Sequence, residues 1–132
     1  DGLLRVVNPG VHRVEAYTMT GHREKPLTWG KSGNFLEGFS GCCNPTSITT
    51  LPDGRFVTAE KFILRVKVYD AEGNYDTAVA GPAELATDRR LFEPDALHPH
   101  RSVKVAADQN GRILVLDPMH EAIRIFEAVH NT

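Results

Sequence analysis

A chain of 132 residues with 41% hydrophobic and 24% charged side chains has the composition of one ordinary globular domain, which excludes a disordered polar segment and calls for no second core. Lys and Arg number 15 against 17 Asp and Glu, with neither sign in a block, so the basic stripe that binds nucleic-acid backbones is excluded. No apolar run approaches the length of a membrane span, and Asp1-Gly2 begins no signal peptide, so neither is expected.

Taken in chain order, the first segment is DGLLRVVNPGVHRVEAYTMTG (1–21), which reads as two short strands around NPGVH (8–12). SGCCNP (40–45) follows, holding both cysteines of the chain. Alternation then resumes in TSITTLP (46–52), crosses a turn at Asp53-Gly54, and continues through EKFIL (60–64), RVKVYD and a turn at Glu72-Gly73 into NYDTAVAG (74–81). Four antiparallel strands between about Thr46 and Ala80 are predicted there. The stretch PAELATDRRLFEPDALHPHR (82–101) is the least repetitive. Pro82 at its start, Glu84 early and Arg89-Arg90 late predict one short helix of about two to three turns, packed through Leu85, Leu91 and Phe92. Strands return in SVKVAAD (102–108) and in NGRILVLDPMHEAIRIFEAVH (110–130).

Three of these segments superpose without a gap. Each opens on an Asx-Gly pair, at Asp1-Gly2, Asp53-Gly54 and Asn110-Gly111, and each starts a second apolar run twelve residues after that glycine, at Val14, Val66 and Ile123. An aromatic falls three further on, at Tyr17, Tyr69 and Phe126; Gly21 and Gly73 then close two of the units, with His130 in that place in the third. The period of about 52 to 57 residues points to a radial or stacked repeat of small sheets.

In this order of strand, Asx-Gly, strand, RV-type third strand, aromatic and turn glycine, the chain resembles the NHL-repeat β-propellers, over nearly its whole length apart from residues 82–101. The resemblance implies an all-β fold of propeller blades, each with four antiparallel strands, in an incomplete ring of about three blades. Residues 1–132 would be one propeller segment: a partial blade at 1–41, a second at 42–81 with the insertion 82–101, and a partial third at 102–132, about ten strands in all. Closed propellers have at least four blades, so completion of the ring by further blades or by self-association is expected. The family also implies a bacterial, extracytoplasmic setting, since many such propellers are exported.

Antiparallel order puts the a–b and c–d turns at one end of each unit, and the b–c turns with the d-to-a connections at the other. The first end carries uniform glycine turns; the second carries every irregular loop, and function is expected there. Cys42, Cys43 and Asn44 lie on that irregular end. Adjacent cysteines admit two reduced thiols, one packed and one exposed, a strained vicinal disulfide acting as lid or redox element, metal ligation, or an intermolecular bond or nucleophile. Glu60, Lys61, Asp117 and Glu121 fit either a polar pocket or a salt-bridged rim. His12, His98, His100 and His120 are the candidate metal ligands, against the reading of solvated loop histidines.

The functional expectation is a non-catalytic module that binds a protein or small ligand through the irregular face, with no nucleic-acid partner and no required cofactor. Two alternatives stand beside it. One is a metal-dependent propeller lyase or hydrolase using those histidines with zinc or calcium, and the other a redox accessory built on Cys42 and Cys43.

Overall fold

The computed structural model describes residues 1–85 and 102–129. The alternating apolar runs form short strands, because β-branched and aromatic side chains at every second position suit a pleated ribbon packed on its faces. They are β1 (Leu4–Asn8), β2 (Arg13–Tyr17), β3 (Ser47–Thr50), β4 (Phe56–Glu60), β5 (Arg65–Tyr69), β6 (Tyr75–Ala80), β7 (Lys104–Ala107), β8 (Ile113–Asp117) and β9 (Ala122–Phe126). All pair antiparallel with their chain neighbours, in sheets of two (β1-β2), four (β3-β4-β5-β6) and three (β7-β8-β9) strands. The four strands expected between Thr46 and Ala80 are the second sheet.

One expectation changes. A last strand was expected in the first unit, but β2 is flanked there only by isolated bridges, Tyr17 with Arg23 and Val14 with Trp29. Between them a 3-10 turn at Lys25–Leu27 interrupts the ladder; Pro26 has no N–H to donate to it. Nine strands therefore stand among the described residues, against about ten expected. The helix of the insertion starts at Pro82 as expected; among the described residues α1 covers Pro82–Leu85, with Leu85 fully buried. Arg89, Arg90, Leu91 and Phe92 lie outside the described residues.

The repeat seen in the sequence is a repeat of register. Asn8 pairs with Arg13, Glu60 with Arg65 and Asp117 with Ala122, the same offsets from the opening glycine in every sheet. Each opening turn uses an aspartate that accepts backbone N–H groups, but not from the same place: Leu3 donates to Asp1 at 3.2 Å and Arg55 to Asp53 at 3.1 Å, whereas in the third unit Asn110 and Arg112 both donate to Asp108 at 2.9 Å, ahead of the Asx-Gly pair. The β5–β6 turn uses Asp70, which accepts the Asn74 N–H at 2.8 Å; hydrogen bonds from Asn74 hold its carboxyl below the usual range. These short turns share one end of the sheets, and the turns after β1, β4 and β8 share the other, as alternation of strand direction requires.

The sheets pack face on face, with the second in the middle. One of its faces, Val57, Ala59, Val66 and Val68, meets Ile113 and Val115 of the third sheet in an aliphatic core with Leu51, Leu64, Ala80, Leu85 and Val103. Burial of each valine, leucine or isoleucine side chain there contributes on the order of 1.5–3 kcal/mol. The opposite face, Phe56, Thr58, Glu60, Arg65, Lys67 and Tyr69, lies under the connection 29–40 and the first sheet, where Arg5 stands 5.3 Å over the Phe56 ring. The outermost faces are bare. Leu116, Ile123 and Ile125 of the third sheet are 49%, 63% and 55% exposed, although they occupy the repeat positions of Ala59, Val66 and Val68, which are at most 2% exposed. At the other end Leu4 and Val6 of β1 are exposed, where their counterparts Phe56 and Thr58 are buried.

Candidate functional site

The middle sheet carries a charged cluster in its interior. Glu60 ends β4, and cross-strand pairing puts Arg65 opposite it, with Lys67 next along the same face of β5. The Lys67 ammonium lies 2.7 Å from Glu60 Oε1, and Arg65 donates to Oε1 and Oε2 at 3.1 and 2.8 Å. Both Glu60 and Lys67 have no exposed surface. What covers them is the connection 34–38, whose carbonyls fill the remaining donor capacity: Lys67 donates to Leu36 and Gly38, both at 2.7 Å, and Arg65 to Asn34, Phe35 and Gly38. Loss of water pushes the Lys67 amine down to about 8, with the Glu60 hydrogen bond opposing that fall. Burial pushes the neighbouring Tyr69 hydroxyl up.

The same positions are polar in the other sheets. On the third, Asp117 accepts from Arg124 Nε at 3.0 Å and pairs with His120 Nδ1 at 2.7 Å, while Arg124 donates to the Glu84 carbonyl at 2.7 Å. On the first, Asn8 donates to Glu15 at 3.3 Å, and Arg23 pairs with the same carboxylate at 3.1 Å. Each clasp joins the end of one strand to the third residue of the next. In the second and third sheets it also binds carbonyls of the incoming connection. Glu60 and Asp117 are thus ion-paired and buried, and their lone pairs serve the fold.

The Glu60 clasp holds the cysteine loop. Ser40 donates its backbone N–H to Glu60 Oε2 at 3.0 Å, and both residues are buried. Four residues on, Asn44 is fully buried and ties the loop to the turn after β4: its amide donates to the Ser40 carbonyl at 2.7 Å and the Lys61 carbonyl at 2.9 Å, and accepts the Lys61 N–H at 2.8 Å. Only Gly41, Cys42 and Cys43 project between these anchors. Both cysteines are free thiols and both are exposed, where the reduced-thiol reading, one of several, had one of them packed; the buried positions beside them are taken by Ser40 and Asn44. A hydrogen bond with Cys42 pushes the Cys43 thiol up, and Lys61 opposes it.

Across from the thiols lies the tip of the β4–β5 turn, Phe62 and Ile63, exposed at 48% and 37%. Lys61 stands 5.4 Å over the Phe62 ring. Phe62 and Cys43 both have a φ of 70°, left-handed backbone that bulky side chains seldom adopt and that concentrates at functional sites. Cys42, Cys43, Asn44, Glu60 and Lys61 are thereby one contiguous site. Asp117 and His120 form a separate pair on the third sheet, and His12 sits after β1 with its Nδ1 buried and unpartnered. Among the described residues no group of three or more His, Cys, Asp or Glu side chains converges in a way that could hold a metal ion. His98 and His100 lie outside the described residues.

Ser40, Arg65, Lys67 and Phe62 escaped the sequence reading. For Arg65 and Lys67 no local signal existed: RVKVY alternates and reads as a strand with one solvent face, and only the structure shows it buried on both. No family model matches the chain, and no curated protein matches it in sequence.

Proposed function

We propose that the chain is a segment of NHL-like propeller blades, a non-catalytic module that binds a protein or small ligand through its irregular face. The observation that carries the binding reading is the contrast between the two ends. The glycine-turn end repeats one backbone turn, in which Gly21, Gly54, Gly73 and Gly111 each donate their N–H to the carbonyl three residues before, whereas the other presents exposed apolar and thiol side chains, Phe62, Ile63, Cys42 and Cys43, on loops clamped by buried polar groups. The blade reading is supported by the common strand register and by the clasp at matching positions of three sheets. By the same repeat logic, the bare face of Leu116, Ile123 and Ile125 takes another sheet of this kind, supplied to the isolated chain by the exposed β1 face of a second copy.

A photo-crosslinking amino acid placed at Phe62, and separately at Asn110 on the glycine-turn end, tests the binding face in the protein's own cell extract. The account expects a discrete adduct from position 62, lost when Ile63→Asp is added, and none from position 110. Equal yields at the two ends, or yields indifferent to Ile63→Asp, would overturn it.

A further inference from the structure

We propose that Cys42 and Cys43 are a thiol–disulfide exchange site whose partner is a disulfide carried on an apolar peptide segment. The inference does not depend on the sheets being propeller blades, and it goes beyond binding to a chemical step. Three observations lead to it.

First, both thiols are exposed, whereas cysteines retained for packing are buried and inert. Second, the two thiols are chain neighbours on a tip held rigid by Asn44 and Ser40. A disulfide between neighbours closes almost no loop, so it adds no useful chain entropy, and the ~3.8 Å between adjacent Cα atoms is below the usual disulfide span of about 4.4–6.8 Å. Such a bond is strained and labile, the property of exchanging disulfides and the opposite of structural ones. Third, the exposed surface beside the thiols is apolar apart from one cation: Gly41 lies against the Phe62 ring, Ile63 extends it, and Lys61 stands 5.4 Å over that ring. No third His, Cys, Asp or Glu joins the pair among the described residues, so the arrangement suits sulfur chemistry better than a tetrahedral metal ion.

The step balances without a cofactor. One cysteine, as thiolate, attacks a sulfur of the partner R–S–S–R′; the partner bond breaks, and R′S⁻ leaves and takes up a proton. The second cysteine then gives up its proton and attacks the chain's sulfur in the mixed disulfide, releasing RS⁻, which is protonated in turn. Two thiols of this chain are oxidised to one disulfide, and the partner's disulfide is reduced to two thiols. The strain in the product favours the reverse direction, oxidation of a partner dithiol, so the forward step is driven by an excess of the partner disulfide.

The test is mass spectrometry of the full chain after reaction with two probes, oxidised glutathione and a disulfide-linked peptide whose cysteine is flanked by leucines. Expected are loss of two hydrogens with either probe, a stalled mixed disulfide when Cys42 or Cys43 is replaced by Ser, and reaction with the peptide about tenfold faster than with glutathione, the size of effect that one partly buried aromatic contact supplies. Phe62→Ser should erase the peptide's advantage and leave the glutathione rate unchanged, with the melting curve as control for folding. Two stable mixed disulfides with no loss of two hydrogens would overturn the exchange site. Equal rates for the two probes, or an unchanged preference in Phe62→Ser, would overturn the apolar-peptide assignment.

Discussion

Gly73→Ala is expected to destabilise the fold by about 3 kcal/mol, and Gly54→Ala by about 1 kcal/mol, although both glycines close strand turns with nearly the same backbone. Their φ angles are 88° and 91°, so the strain of a left-handed alanine is common to the two. The difference is what a methyl group would meet. At Gly54 there is nothing within 4 Å, but at Gly73 the methyl would fall inside the Trp29 indole. Trp29 cannot withdraw cheaply: its ring is 4.7 Å from Tyr69 and 5.6 Å from Phe56, centroid to centroid, and its backbone bridges to Val14. Displacing it opens the aromatic layer over the charged face of the second sheet. Chemical denaturation of the two variants measures the gap directly, and equal losses would show that Trp29 is not seated as described.

Glu60→Gln is expected to cost about 3–5 kcal/mol, the usual penalty for breaking a buried ion pair from one side. The substitution keeps the side chain's size, so the loss reads the charge alone. It leaves the Lys67 ammonium and the Arg65 guanidinium with carbonyls and no counter-charge, and it weakens the Ser40 anchor of the cysteine loop. Lys67 adds a pH signature. Its amine loses its proton near 8 in the fold and at 10.5 when unfolded, so between those values the unfolded chain binds more protons. The contribution of Lys67 to stability therefore rises with pH across that window and is least favourable below it. Wild-type minus Lys67→Met stability should increase from pH 8 to 10.5. A flat difference would mean that the amine is hydrated.

The strands were legible because their side-chain period is two, and the tight turns because Asx-Gly pairs recur at fixed offsets. The cysteine loop was legible as a place, since parity of strand direction assigns SGCCNP to the irregular end without any knowledge of contacts. Its anchoring was not. Arg65, Lys67 and Tyr69 alternate along β5 and read as a solvent face, and only the long-range return of residues 34–38 over that face turns them into an interior cluster. Nothing local encodes that contact, because the donors and the carbonyls that accept from them lie some 30 residues apart. Pro26 shows the converse: its effect on the strand ladder is local, and its position beside Lys25 was readable from the sequence alone.

Sedimentation equilibrium of the chain over a range of concentrations bears most directly on the claim that these are repeating sheets made to stack. Leu116, Ile123 and Ile125 occupy positions that the next sheet covers everywhere else in the molecule, and β1 offers the face that would do the covering. The account predicts reversible association of the chain that disappears in Ile123→Lys and in Leu4→Lys alike, with unchanged strand content by circular dichroism. A soluble monomer at all concentrations, with this apolar face left in water, would contradict it.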